Sequence, residues 1–331
     1  MALPRSRSYL GIAKETRPTP GSAPTAVAAT DFIPYLTISP FDNVKYLDDK
    51  GLRGSMTEEF NVIQGKIYSE FEFGGDVFPD TIGYAMAGVL GDVSTSGATA
   101  PFTHTMSLLN SQASNGQPPT FTLSDYYSLG TASTRQFAGS QFSQLDVKFS
   151  ADALLTYSAK AMGFQSSVAA NPSASFSSVG PVPSWEGQVT LAGSVTAIMA
   201  EGNVNIQRPV TPIMTVDGTQ RPYQLFAGPV SVDGAMLLVM ESDAQLNYYL
   251  NNTQPSLAID FSAGAGASAV QLKYQLTKCA FTVAKVERGK DYIELNVTYR
   301  GIANTTDVGT SGGYSPVKVT LQNAKASGTF G

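Results

Sequence analysis

The chain has very little of the chemistry that most enzymes and metal proteins need. One cysteine in 331 residues, Cys279, leaves no partner for an intrachain disulfide. It lies in the apolar stretch Lys278-Cys279-Ala280-Phe281, where it reads as a small buried hydrophobe. One histidine, His104, excludes any multi-histidine metal site. A general-base role would need an orienting carboxylate and a nucleophile nearby, and Phe102-Thr103-His104-Thr105 offers neither. An exposed polar histidine in a loop is the expectation. Charged residues make up 14% of the chain, against ~25% in typical soluble proteins. The net charge of -5 argues against nucleic-acid affinity, which requires clustered Lys and Arg. No apolar run approaches the ~18 residues of a membrane helix. Arg5 and Arg7 are not followed by the apolar segment of a secretory signal. A soluble product of a cytoplasm, with no membrane contact, is expected.

What is present is strand pattern. Tyr68-Ser69-Glu70-Phe71-Glu72-Phe73 puts two phenylalanines on one face and two glutamates on the other. Gln144 to Phe149 and Tyr292 to Tyr299 alternate in the same way. A final strand is expected from Val317 to Leu321. Only Asp80 to Leu90 and Ser242 to Leu250 read as helices, each opening near a residue suited to an N-cap. Residues 1–30, rich in Pro, Ser, Thr and Ala, read as an extended arm without a core. Residues 166–183, with Asn171-Pro172 and Pro181-Val182-Pro183, read as a linker, and Trp185 beside it is expected to pack at the start of a second domain. The fold class is all-β with one short helix per half, the domains spanning 31–165 and 184–331.

The two halves share an order of motifs. Phe60 to Gly65 lies over Tyr223 to Gly228 at an offset of 163, which brings Glu70 onto Asp233. The helices follow at 164, and Leu145 to Gly163 lies over Val283 to Gly301 at 138. The expectation is an internal duplication, with an insertion in the first half.

No catalytic constellation emerges. Asp48-Asp49 and Glu58-Glu59 are adjacent pairs, whose side chains on a strand point to opposite sides. Asp48-Asp49-Lys50-Gly51 and Asp217-Gly218 read as turns. Gly74-Gly75 and Gly264-Ala265-Gly266 lack the Lys-Ser/Thr of a phosphate loop. No cofactor and no enzymatic activity are expected. The stretch from Asp42 to Asp80 carries nine carboxylates against four cations, an acidic face.

Ser8 to Thr16, Asp42 to Gly54, Gly74 to Thr81, Arg208-Pro209-Val210 with Thr215 to Gln220, and Ala303 to Asp307 with Gly312 to Val319 form a set of phrases spread over nearly the whole chain. They resemble stretches of the tail tube proteins, or major tail proteins, of siphophages from actinobacterial and related hosts. The resemblance implies a structural virion protein of the phage tail, assembled in the host cytoplasm. It implies β-sandwiches with a flanking helix that close into rings and stack into a hollow tube. Members with a duplicated fold form trimers with pseudo-sixfold symmetry. Expected partners are further copies of the chain, a tape-measure protein, and the tail terminator and distal tail proteins, with DNA passing unbound during ejection.

On that picture Glu70, Glu72 and Asp233 face the lumen, where carboxylates repel phosphates; a plain solvent-facing sheet accounts for the same pattern. The long segments 42–65 and 207–228 are expected to be irregular and to stack rings. Their candidate residues are Asp48, Asp49, Lys50, Arg53, Glu58, Glu59, Arg208, Asp217 and Arg221. The rival readings are a head decoration or baseplate hub protein, a carbohydrate-binding or adhesin module, and a β-rich hydrolase.

Overall fold

The computed structural model describes residues 4–112, 114–127 and 134–331. Antiparallel strands dominate, with two short helices, α1 (Ile82–Leu90) and α2 (Ala244–Leu250). The alternation of apolar and polar residues becomes a two-sided sheet: Phe71 and Phe73 are buried while Glu70 and Glu72 are exposed.

Eight strands follow one another in a continuous antiparallel row. From one edge they are Thr37–Asp49, Asn61–Asp76, Thr156–Gly163, Thr134–Ser150, Met199–Gln207, Ser231–Val239, Glu294–Gly301 and Cys279–Glu287. The first four belong to the first half of the chain and the last four to the second. A seven-stranded sheet shares the core with them, its order Ser194–Thr196, Gly187–Leu191, Leu257–Ala263, Val270–Leu276, Lys318–Asn323, Phe102–Leu108 and Gly91–Ser96. Here the C-terminal strand Lys318–Asn323 is inserted between a second-half strand and the first-half hairpin 91–108. One apolar core therefore runs through both halves, from Leu10, Phe73 and Leu145 to Val204, Leu238 and Val297.

The two groups of four match in pairing register as well as in order. Phe73 pairs with Ala159, and Met236, at an offset of 163, pairs with Val297, at 138. Glu70 opposes Met162 and Phe41, as Asp233 opposes Arg300 and Asn205. A bulge after Phe142, opposite Ala161, has its counterpart after Phe281, opposite Tyr299.

The helices differ sharply. Every residue of α1 is buried and none of α2 is. Helix α1 fits because it carries glycine where the sheet presses closest: a Cβ on Gly88 would lie 2.2 Å from the Phe142 ring. Neither helix makes the expected side-chain N-cap bond; the first residues are Ile82 and Ala244, with Thr81 and Asp243 preceding them uncapped.

Several expectations are corrected. The residues read as a coreless arm include strand Tyr9–Glu15, which pairs along its full length with Thr120–Tyr126 and buries Leu10, Ile12 and Ala13 completely. The linker 166–183 is irregular for most of its length but bound to the first half: Val182 is buried and donates to Val77 O at 3.0 Å. Trp185 does not pack; it is 71% exposed. The segment 42–65 is no irregular loop but the outer part of a long hairpin, paired to Asp49↔Asn61, with a tip at 50–60. The segment 207–228 holds a two-stranded ribbon, Val210–Ile213 with Gln224–Ala227.

Candidate functional site: the polar face of the eight-stranded sheet

A row of strands with one buried face leaves the other to solvent, and here that face is mostly polar, interrupted by Phe41, Met162, Ala235 and Leu237. Register decides which side chains share it. Ser39, Glu72, Lys160, Gln144, Gln207 and Ser231 stand opposite one another in succession. The neighbouring line runs Gly74, Ser158, Asp146, Asn205, Asp233 and Arg300. Glu70, Glu72 and Asp233 thus lie on one face of one sheet, brought together as the alternation required.

Their surroundings differ in detail. Glu72 is exposed and 3.7 Å from Lys160 Nζ, a contact worth little in solvent. Glu70 is exposed beside Tyr68, whose hydroxyl accepts a hydrogen bond from Asn43 Nδ2 at 2.9 Å. Burial and the Glu70 carboxylate together raise the pKa of Tyr68. Asp233 is half-buried and accepts a hydrogen bond from Asn205 Nδ2 at 3.0 Å. Asn205 in turn accepts from Gln144 Nε2 at 3.0 Å, so an amide chain crosses the junction between the halves. Asp146 accepts from Asn203 Nδ2 at 2.7 Å and lies 3.5 Å from Lys148 Nζ. A hollow of about 550 Å³ opens on this side, lined by Asp146, Lys148, Glu201, Asn203 and Asn296 among others.

Sequence reasoning missed most of this face. Asp146 and Lys148 alternate with Leu145 and Val147, and that signal was available. The pairing that carries them beside Asn203 and Asn205 was not, because it joins segments over 50 residues apart. The cations Lys148, Lys160 and Arg300 also make the face mixed, with carboxylates in excess, rather than uniformly acidic.

The loop residues divide into two groups. At the hairpin tip Lys50 Nζ lies 3.0 Å from Glu58 and 3.3 Å from Glu59. Asp49 binds Arg53, whose guanidinium sits 4.9 Å over the Phe60 ring. Asp48 is exposed beside them. These pairs fasten a tip that presents apolar side chains outward: Leu52 is 95% exposed and Met56 is fully exposed. Asp217 closes the tip of the second segment by accepting from Thr219 N at 3.0 Å and Thr219 Oγ1 at 2.8 Å. The two segments touch, Gln220 Nε2 donating to Gln64 O at 2.8 Å. Arg221 turns inward, donating to Gly21 O at 2.7 Å.

Arg208 does not belong with these residues. It is buried and donates to Gly228 O at 3.1 Å, Val89 O at 3.0 Å, Leu90 O at 3.4 Å and Gly116 O. It therefore closes the C-terminal end of α1. Burial, together with the nearby Arg17, lowers its pKa to about 10.

His104 is likewise buried rather than exposed. Its Nδ1 lies 2.8 Å from Thr95 Oγ1, and its Nε2 faces Asn323 Oδ1 at 3.2 Å and Lys325 O at 3.1 Å. Two acceptors at Nε2 place the proton there. The ring abuts Phe330 edge-on at 4.9 Å. Cys279 is buried as expected, and burial raises its thiol to about 12.

The arrangement is a broad, shallow polar wall with a projecting apolar-tipped hairpin. A family model described as phage tail tube protein matches residues 5–301. The chain belongs to the phage tail tube protein family. It is a structural component of the phage tail, and so of the virion. No curated protein matches it. Among the described residues no helix is long and apolar enough to cross a membrane. Family membership covers strands of both halves, including Tyr9–Glu15 and all of the polar face.

Proposed function

We propose that the chain polymerises as stacked rings into the hollow tail tube through which phage DNA is ejected, with three chains and pseudo-sixfold symmetry in each ring. The observation that carries this is the eight-stranded sheet, mostly polar on one face and composed of two register-matched groups of four. Six such groups, two from each chain, close a wall of 24 strands. At about 4.8 Å between strands and a tilt of roughly 40°, that wall has a diameter of about 45–50 Å between backbones. Side chains reaching inward still leave a bore wide enough for a DNA duplex.

The matched register supports reading the chain as two copies of one unit, centred on 31–165 and 184–331, with Tyr9–Glu15 belonging to the first and 166–183 connecting them. Glu70, Glu72 and Asp233 then line the bore, where a net negative wall keeps phosphates from adhering. The hairpin tip around Asp48, Asp49, Lys50, Arg53, Glu58 and Glu59 reaches the next ring, with Asp217 at the tip of the matching segment of the second half, while Arg221 braces that segment from within its own chain. The tape-measure protein sets the length of the stack, and the terminator and distal tail proteins close its ends. The role is structural and non-catalytic, and assembly takes place in the host cytoplasm.

Changing Glu70, Glu72 and Asp233 together to Lys tests the bore. Phage carrying the triple variant should build tails of normal appearance and eject DNA poorly. Normal ejection from such tails would remove these residues from the lumen.

A further inference from the structure

The eight-stranded row ends in two edges, strand Thr37–Asp49 on one side and strand Cys279–Glu287 on the other. Register makes these edges the counterparts of the two strands that meet in its middle. Phe41 opposes Glu70 as Asn205 opposes Asp233, so Thr37–Asp49 corresponds to Met199–Gln207. The shared bulge after Phe142 and Phe281 makes Cys279–Glu287 correspond to the later part of Thr134–Ser150. The middle junction pairs Lys148 with Asn203, Asp146 with Asn205 and Gln144 with Gln207.

Resting on the ring reading, we infer that neighbouring copies of the chain join by repeating this internal junction residue for residue. Strand Cys279–Glu287 of one copy pairs with Thr37–Asp49 of the next, Glu287 opposite Ser39, Lys285 opposite Phe41 and Val283 opposite Asn43. The side chains present fit that pairing. Phe41 is 58% exposed and Val283 50% exposed in the single chain. The Lys285 stem and ammonium would lie along the Phe41 ring. Pro40, the counterpart of Val204, has no N–H, so the repeated ladder lacks one backbone bond at that position; with Lys285 it is the kind of residue that keeps an open edge from pairing indiscriminately.

The helices point the same way. Helix α1 lies against Thr134–Ser150 and is capped by Arg208, the residue just past the partner strand. Helix α2 lies against Cys279–Glu287, with Tyr248 edge-on to Phe281 at 5.9 Å, yet leaves Tyr249 and Leu250 exposed. The counterpart of Arg208 is Val44, just past Asn43 in the other edge strand. In the repeated junction, Val44 and the exposed Tyr46 and Leu47 of the next copy cover the bare end of α2.

Cysteine pairs in the full chain test the register. Phe41→Cys with Lys285→Cys, and Ser39→Cys with Glu287→Cys, are placed in register; Phe41→Cys with Glu287→Cys is shifted by two residues. Opposed Cα atoms lie about 4.5–5.5 Å apart and diagonal ones about 7–8 Å, beyond easy disulfide reach. Each variant is assembled, checked by electron microscopy, oxidised and run on a non-reducing denaturing gel. The in-register pairs should give covalent products ending at three chains, and the shifted pair at least ~10-fold less. Tubes that cross-link only through the shifted pair, or through neither in-register pair, would overturn the register and leave the tube reading intact. Wild-type protein that forms no tubes would overturn both.

Discussion

Arg208, His104 and Phe330 hold together parts of the chain that lie far apart in sequence. The Arg208 guanidinium joins the C-terminal end of α1 to the start of the ribbon in the second half. Its replacement by Met strands several buried carbonyls and should cost about 3 kcal/mol in urea-unfolding measurements. Lys should rescue little of that, because an ammonium lacks the planar fork that spans four acceptors. Phe330 is completely buried against Tyr84 and His104. Phe330→Ala should cost about 3–5 kcal/mol in the same assay.

The burial of His104 lowers its pKa, so protonation is easier in the unfolded chain. Its contribution to stability is whole above the unfolded value near 6.5 and is lost as pH falls below it. Melting temperatures measured from pH 8 to pH 5 should fall more steeply for wild type than for His104→Gln. Nothing local in Phe102-Thr103-His104-Thr105 reveals this environment, because Asn323 and Lys325 come from the far end of the chain. The buried position of Arg208, expected in a ring-stacking loop, is hidden for the same reason: its acceptors are backbone carbonyls, which sequence does not mark.

Among the elements, legibility followed burial. Strands with one face in the core, such as Asn61–Asp76 beyond Ile67, carry a two-residue contrast that makes them legible in the sequence. The outer part of the same hairpin, 42–65, has both faces largely exposed, so no contrast marks it as strand. Strand Tyr9–Glu15 was hidden differently: its almost uniform burial erases alternation, and a Pro-rich stretch follows it. Helix α1 is fully buried and packs on glycine, so Gly88→Ala should destabilise by about 2 kcal/mol or more in thermal unfolding, since the Phe142 ring must move. The hairpin tip makes a separate prediction. Burying Leu52 and Met56 against another ring is worth about 1.5–3 kcal/mol each. Leu52→Asp with Met56→Asp should therefore leave a folded protein that fails to elongate into tubes, as seen by negative-stain microscopy. Tubes of ordinary length would place the tip elsewhere.

At the scale of the whole molecule, the offset of 163 for Asn61–Asp76 and that of 138 for Thr156–Gly163 coincide with the pairing registers of the eight-stranded sheet. Thr134–Ser150 instead matches Cys279–Glu287 at 139, so that buried Leu145 corresponds to Ala284 and not, as expected, to the exposed Val283. The first two offsets were visible because pairing fixes the spacing of core-facing residues even where residue identity is lost. Invisible in the sequence was the junction that makes one wall of both halves, Thr134–Ser150 with Met199–Gln207, and the C-terminal strand that stitches the second sheet. That wall carries the central claim, that three chains close a ring around a polar bore. Cryo-electron microscopy of the purified, self-assembled protein measures it directly. Hollow tubes are predicted, with three chains per ring, 24 strands in the inner wall, and Glu70, Glu72 and Asp233 facing the bore. A protein that stays monomeric at high concentration, or a filament with that polar face outside or buried between chains, would contradict it.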